Sequence, residues 1–103
     1  MKKIQQKIKD FCKKHNLESS PEHRILDTMS ELGEVAKEVL KMTDYGRKKA
    51  EYREEIKPEL GDLLFSLITI ANSFDVDLEE ALNMVLEKYE KRLQKGSAGS
   101  EKD

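Results

Sequence analysis

The segment "LLFSLITIA", residues 63–71, is the longest apolar run in the chain. It is far too short to cross a bilayer as a helix, which needs about 20 apolar residues. Joined to "EEIKPELGD" before it, the run reads as a helix in which Ile56, Leu60, Leu63, Leu67 and Ile70 form one stripe, while Leu64, Phe65 and Ile68 occupy other faces. A helix apolar nearly all round must be covered nearly all round. A chain of 103 residues leaves too little material for that, so part of the cover is expected from a second subunit.

The rest of the sequence supplies helices. Charged residues make up 39% and aromatics 6%, with no tryptophan and two prolines, a balance suited to long, charge-laced helices. Apolar spacing predicts an all-α fold with helices over about residues 2–15, 21–43, 48–74 and 77–94. Ser20 reads as an N-cap with Pro21 at the first helical position, and Asp77 as a second N-cap. Gly46 offers a left-handed end to the second helix. Pro58 has no N–H for the carbonyl of Glu54, so it either kinks the third helix or marks where its well-formed part begins. One domain is expected over 1–94, with a flexible tail over 95–103.

Nineteen basic against 21 acidic residues give a net charge of −2, which offers no general attraction to nucleic acid or to an anionic membrane. The lysines at 2, 3, 7, 9, 13 and 14 read as the solvated side of a docked helix whose apolar stripe is Ile4, Ile8, Phe11 and Cys12. Neither nucleic acid nor a membrane is expected as partner. Cys12 is the only cysteine, which excludes an intramolecular disulfide and fits a reducing compartment. The first residues lack the apolar stretch of a signal peptide, so a cytoplasmic protein is expected.

Chemistry enters through a doubled pattern. "SELGE" places Glu31 and Glu34 one turn apart, and "ELGD" does the same with Glu59 and Asp62, each pair having a glycine before its second acid. On the second helix Asp27, Glu31, Glu34 and Glu38 make one stripe roughly opposite the apolar stripe of Ile25, Met29, Leu32, Ala36 and Val39. Like charges at these spacings repel, and Glu59 and Asp62 border the apolar run, where an unpaired carboxylate is expensive. A divalent cation resolves both costs. Two helices offering two carboxylates each suit a hard ion such as Mg²⁺ or Mn²⁺. Gly33 and Gly61 would then let the two helices approach closely. Neither histidine follows a glutamate by three positions, which argues against a di-iron bundle, and one cysteine with two scattered histidines gives no zinc ligand set. Such an all-oxygen site is typical of phosphate chemistry.

"SELGEVAKE", "ELGDLLFSL" and "ANSFDVDLEEALNMVLEKYEKR" together resemble the MazG-type all-α nucleoside triphosphate pyrophosphohydrolases over roughly residues 20–93. The resemblance implies a four-helix MazG-like bundle completed by assembly into a dimer or tetramer, with active sites near subunit interfaces. It also implies Mg²⁺-dependent hydrolysis of a (d)NTP to (d)NMP and pyrophosphate, a nucleotide-pool house-cleaning activity. By motif position, Glu31, Glu34, Glu59 and Asp62 would be the metal ligands. Glu38, with Glu34, is the candidate for orienting or deprotonating the attacking water, and is equally suited to an outer-ligand role. Lys88 and Arg92 are candidate phosphate contacts and Asn72 a candidate base or sugar contact. Tyr89 stands where related sequences often have asparagine. The competing expectation is a non-catalytic helical module that uses the same acids to bind a metal, a nucleotide or a partner.

Overall fold

The computed structural model describes residues 1–96 as four helices: α1 (Lys2–Lys14), α2 (Pro21–Met42), α3 (Ile56–Ser73) and α4 (Leu78–Gln94). There is no strand among the described residues. Of the expected tail, everything from residue 97 onward lies outside them.

Local chemistry fixes the helix boundaries. Ser20 Oγ accepts the backbone N–H of His23 at 3.2 Å, with Pro21 at the first helical position. Asp77 Oδ1 accepts the N–H groups of Glu79 and Glu80 at 3.0 and 3.3 Å. Three helices end alike, on a left-handed polar residue: Asn16 (φ 55°), Asp44 (φ 48°) and Asp75 (φ 53°). In each case the next residue donates five positions back: Leu17 to Cys12, Tyr45 to Leu40 and Val76 to Ala71, at 2.7–2.9 Å. Asn and Asp tolerate this conformation better than most residues. Asp44 thus takes the role expected of Gly46, which follows as the third left-handed residue in a row.

The third helix departs from expectation. It begins at Ile56, with no helix over 48–55 and Pro58 inside its first turn. The first four N–H groups of a helix have no internal partner, so proline costs nothing there and no kink is needed.

α2 and α3 pack along one another, and α1 packs on α3, where Phe11 meets Phe65 edge-on with centroids 6.1 Å apart. Cys12, Ile68 and Ala71 are the buried apolar side chains among the described residues. Arg24, also buried, donates to the Leu17 carbonyl and approaches Cys12 Sγ at 3.9 Å, tying the α1–α2 turn to α2.

The apolar stripe of α2 is not in this core. Met29 is 67% and Leu32 56% exposed, and Ile25, Ala36 and Val39 are exposed with them. Among the residues of α2 that lose solvent are Arg24, Thr28, Glu31, Val35 and Glu38, at helical spacing on another face. Leu60, Leu64 and Leu67 of α3 are also open. The radius of gyration is 17.0 Å, against about 13 Å for a compact chain of this length.

α4 packs extensively along none of the other helices and contributes no buried residue. Its start is held by Gln5, which is buried on α1. Gln5 Nε2 donates to the Val76 carbonyl at 2.8 Å and to Asn72 Oδ1 at 3.2 Å, and Gln5 Oε1 accepts the first N–H of α4, from Leu78, at 2.9 Å. Asn72 Nδ2 returns a bond to the Gln5 carbonyl at 3.0 Å.

The glycines do not mediate helix approach within the chain. A Cβ added at Gly33 or Gly61 would meet no heavy atom within 4 Å. Gly33→Ala and Gly61→Ala are therefore each expected to stabilise the fold by about 1 kcal/mol in urea denaturation, through helix propensity alone. Loss of stability instead would place another molecule against them. Gln5→Ala is expected to cost about 2–3 kcal/mol in the same measurement, because it leaves Leu78 N–H and the Val76 carbonyl unpaired.

Candidate functional site

The seam between α2 and α3 is where the doubled acids meet. Steps of three and four from Arg24 keep Thr28, Glu31, Val35 and Glu38 on one side of α2, so Glu31 and Glu38 of the acidic stripe fall on its covered face while Glu34 stays exposed.

One carboxylate oxygen each from Glu31, Glu59 and Asp62 lie within 4.8 Å of one another. Oxygens on opposite sides of a Mg²⁺ ligated at 2.0–2.1 Å are roughly 4 Å apart, so a small inward adjustment would bring all three onto one ion. Glu59 is held above the ordinary carboxylate range, first by its loss of solvent and then by the negative charges of Glu34, Asp62, Glu31 and Glu38. A carboxylate that resists ionisation among other carboxylates is a site with excess negative charge. Glu34 is exposed and lies outside the trio, yet it is the largest of the charges acting on Glu59. The donors are all carboxylate oxygens, the set a hard divalent cation takes.

Glu38 is in a different condition. It is buried, and each of its oxygens meets a cation: Oε1 accepts from Arg53 Nε at 3.0 Å, and Oε2 lies 3.5 Å from Lys41 Nζ. The Arg53 hydrogen bond, with lesser help from both positive charges, outweighs burial and holds the Glu38 carboxyl below its ordinary range. Asp27, at the other end of the stripe, faces His23 Nε2 at 3.7 Å.

The other candidates are elsewhere. Both amide atoms of Asn72 are engaged with Gln5 of α1. Lys88 and Arg92 stand on α4 and flank the Tyr89 ring, at 5.7 and 6.0 Å from its centroid, on a helix that does not lie along the acidic seam. The residue the sequence reading missed is Arg53. Set among glutamates in "EYREEI", it looks like one more solvated charge, and nothing in that spacing reveals a partner fifteen positions back.

Comparison with known proteins identifies the family. The MazG nucleotide pyrophosphohydrolase domain matches residues 19–97. The crystal structure of the Bacillus-conserved MazG protein, a nucleotide pyrophosphohydrolase, is similar with a TM-score of 0.72 at 34% identity, over 85% of this chain and 86% of that one. The crystal structure of YpjD from Bacillus subtilis gives 0.72 at 35% identity, over 85% and 92%. By sequence, the uncharacterized protein YpjD of Bacillus subtilis is 45% identical over 65 residues, which take in 60% of this chain and 57% of YpjD. The uncharacterized YabN of the same organism is 36% identical over 44 residues, 43% of this chain and 9% of YabN. The chain thus matches little more than half of one curated relative and a small part of the other. With the domain spanning most of its length, the chain belongs to the MazG nucleotide pyrophosphohydrolase family.

Proposed function

We infer that this chain hydrolyses nucleoside triphosphates to monophosphate and pyrophosphate with Mg²⁺, or Mn²⁺ in its place, and serves to clear ordinary or damaged (d)NTPs from the nucleotide pool. The observation that carries this reading is the convergence of Glu31, Glu59 and Asp62 from two helices, with Glu59 resisting ionisation in their midst. In this reading Glu31, Glu34, Glu59 and Asp62 hold the ion. When bound, it supplies neutralisation of phosphate charge and a water of lowered pKa.

The remaining work falls to the chain itself. Glu34, exposed beside the trio, is better situated than Glu38 to orient the attacking water and take its proton, since both oxygens of Glu38 are committed to cations. Water is added across the α–β phosphoanhydride bridge, and pyrophosphate leaves with the bridging oxygen. Lys88 and Arg92 would meet phosphate only across a subunit boundary, given the position of α4. Asn72 braces α1 against the α3–α4 turn and acts on substrate only through that brace.

The working unit in this proposal is a dimer or tetramer of a single domain over residues 1–94. The open apolar side of α2, with Leu60, Leu64 and Leu67 of α3, is the surface a second copy would cover. No described helix is long and apolar enough to cross a membrane, and we assign the protein to the cytoplasm.

Purified protein is expected to release pyrophosphate from at least one member of a (d)NTP panel with Mg²⁺, and Glu59→Gln to abolish that release. No turnover across the panel with either Mg²⁺ or Mn²⁺ would refute the assignment. Glu59 also gives a stability signature. Its carboxyl is raised in the folded state, so without metal its contribution is fully present at acidic pH and is lost as pH rises through the raised value toward neutrality. Glu38, which is lowered, has the opposite sign: its contribution is present above the ordinary carboxylate range and is lost as pH falls below it. Glu59→Gln should therefore raise the metal-free Tm at pH 7 while shrinking the Tm gain produced by Mn²⁺, read by calorimetry. Light scattering should find a dimer or tetramer, and Leu32→Asp should shift it toward monomer and lower the Tm.

A further inference from the structure

We propose that Arg53, fixed in place by Glu38, is the phosphate-binding cation of this site, an assignment that rests on the hydrolase reading above. Arg53 lies three residues before the start of α3, and main-chain bonds set it on both sides. Lys48 N–H donates to the Thr43 carbonyl and Glu51 N–H to the Met42 carbonyl, each at 3.0 Å, which folds the α2–α3 connection back on the end of α2. The Arg53 carbonyl accepts the first N–H of α3, from Ile56, at 3.1 Å. The backbone under the guanidinium is thus tied to both helices that carry the acids.

The side chain is tied as well. Its Nε donates to Glu38 Oε1 at 3.0 Å. Glu38 lies one turn beyond Glu34 on the acidic stripe, and its charge is among those that act on Glu59, so Arg53 is held at the end of the acidic seam. A guanidinium has five N–H donors, and four of them belong to its two terminal amino groups. Among the described residues those groups make no hydrogen bond, and one of them forms only a longer ion pair, 3.7 Å from Glu55. With its side chain 36% exposed, Arg53 keeps one edge on protein and another open to water.

A triphosphate approaching this seam meets several carboxylates, and a divalent ion cancels only part of that charge. An arginine whose Nε is already fixed has lost its side-chain freedom before the ligand arrives, and its terminal donors match phosphate oxygens in pairs. The other described arginines are placed differently: Arg24 is bound to the Leu17 carbonyl, Arg47 pairs with Asp44 at 3.7 Å, and Arg92 lies against Tyr89. Glu38 in this scheme is a positioning residue, which explains why a buried carboxylate of the stripe carries two cations and Glu34 is left exposed.

The test compares Arg53→Gln, Arg53→Lys and the double variant Glu38→Gln/Arg53→Gln with the wild type, on the (d)NTP that the wild type turns over fastest. Mn²⁺ binding is followed by electron paramagnetic resonance, alongside Tm. Arg53→Gln should raise KM and weaken product inhibition by pyrophosphate about tenfold to a hundredfold, the range for losing charge-assisted hydrogen bonds, with Mn²⁺ affinity changed less than threefold. Arg53→Lys should fall between. The double variant removes the unpaired Glu38 charge; its KM should stay as high as that of Arg53→Gln, whereas recovery of KM would show that Arg53 only neutralises Glu38 and would overturn the proposal. An unchanged KM in Arg53→Gln, with turnover and Mn²⁺ binding intact, refutes the Arg53 assignment alone. A wild type that neither binds Mn²⁺ nor releases pyrophosphate refutes the hydrolase reading and this one with it.

Discussion

The structure depends on carboxylates packed into a helix seam. Two helices that converge at Glu31, Glu59 and Asp62 bring together groups that repel, and Glu59 registers the conflict by holding its proton more tightly than a solvated glutamate would. Apolar side chains at the same seam would give a more stable hairpin. A protein that places acids there needs other ties: the Arg53–Glu38 bond links the α2–α3 connection to α2, and Ile68 and Ala71 of α3 are buried. In the proposed metal site, stability lost at the seam would accompany the capacity to receive charge.

That choice turns the rest of the chain outward. With the polar side of α2 against α3, its apolar side stays largely exposed among the described residues, and α4 adds a further row of open residues at Leu82, Leu86 and Leu93. The radius of gyration and the thin core express the same fact: few apolar side chains are enclosed among the described residues.

Much of this was legible in the sequence. Ser20 with Pro21, and Asp77, mark helix starts because their side chains and ring act on neighbouring N–H groups, and the structure forms both caps. The i, i+3 acids and the opposition of the two stripes on α2 followed from helical geometry alone. The choice of which stripe faces α3 did not follow, because burying the apolar one is the default and only tertiary packing reverses it. Pro58 was ambiguous between kink and start, since its chemistry permits both. Gly46 drew attention from Asp44 because glycine is the usual left-handed residue, although Asp can take the role. Arg53 and Gln5 were invisible for one reason: each acts through a partner far away in sequence, and neither has a neighbour pattern that announces it.

Gln5 also gives the molecule a mechanical character. α4 is 17 residues long, about 25 Å, and it is fastened near its first turn by the Gln5 amide and by the Met1 ammonium, 3.0 Å from Glu79 Oε1. A body held at one end behaves as a lever: a rotation of about 10° at Leu78 carries the far end by about 4 Å. The position of Lys88 and Arg92 therefore depends on contacts at the opposite end of their helix, among them a glutamine on α1.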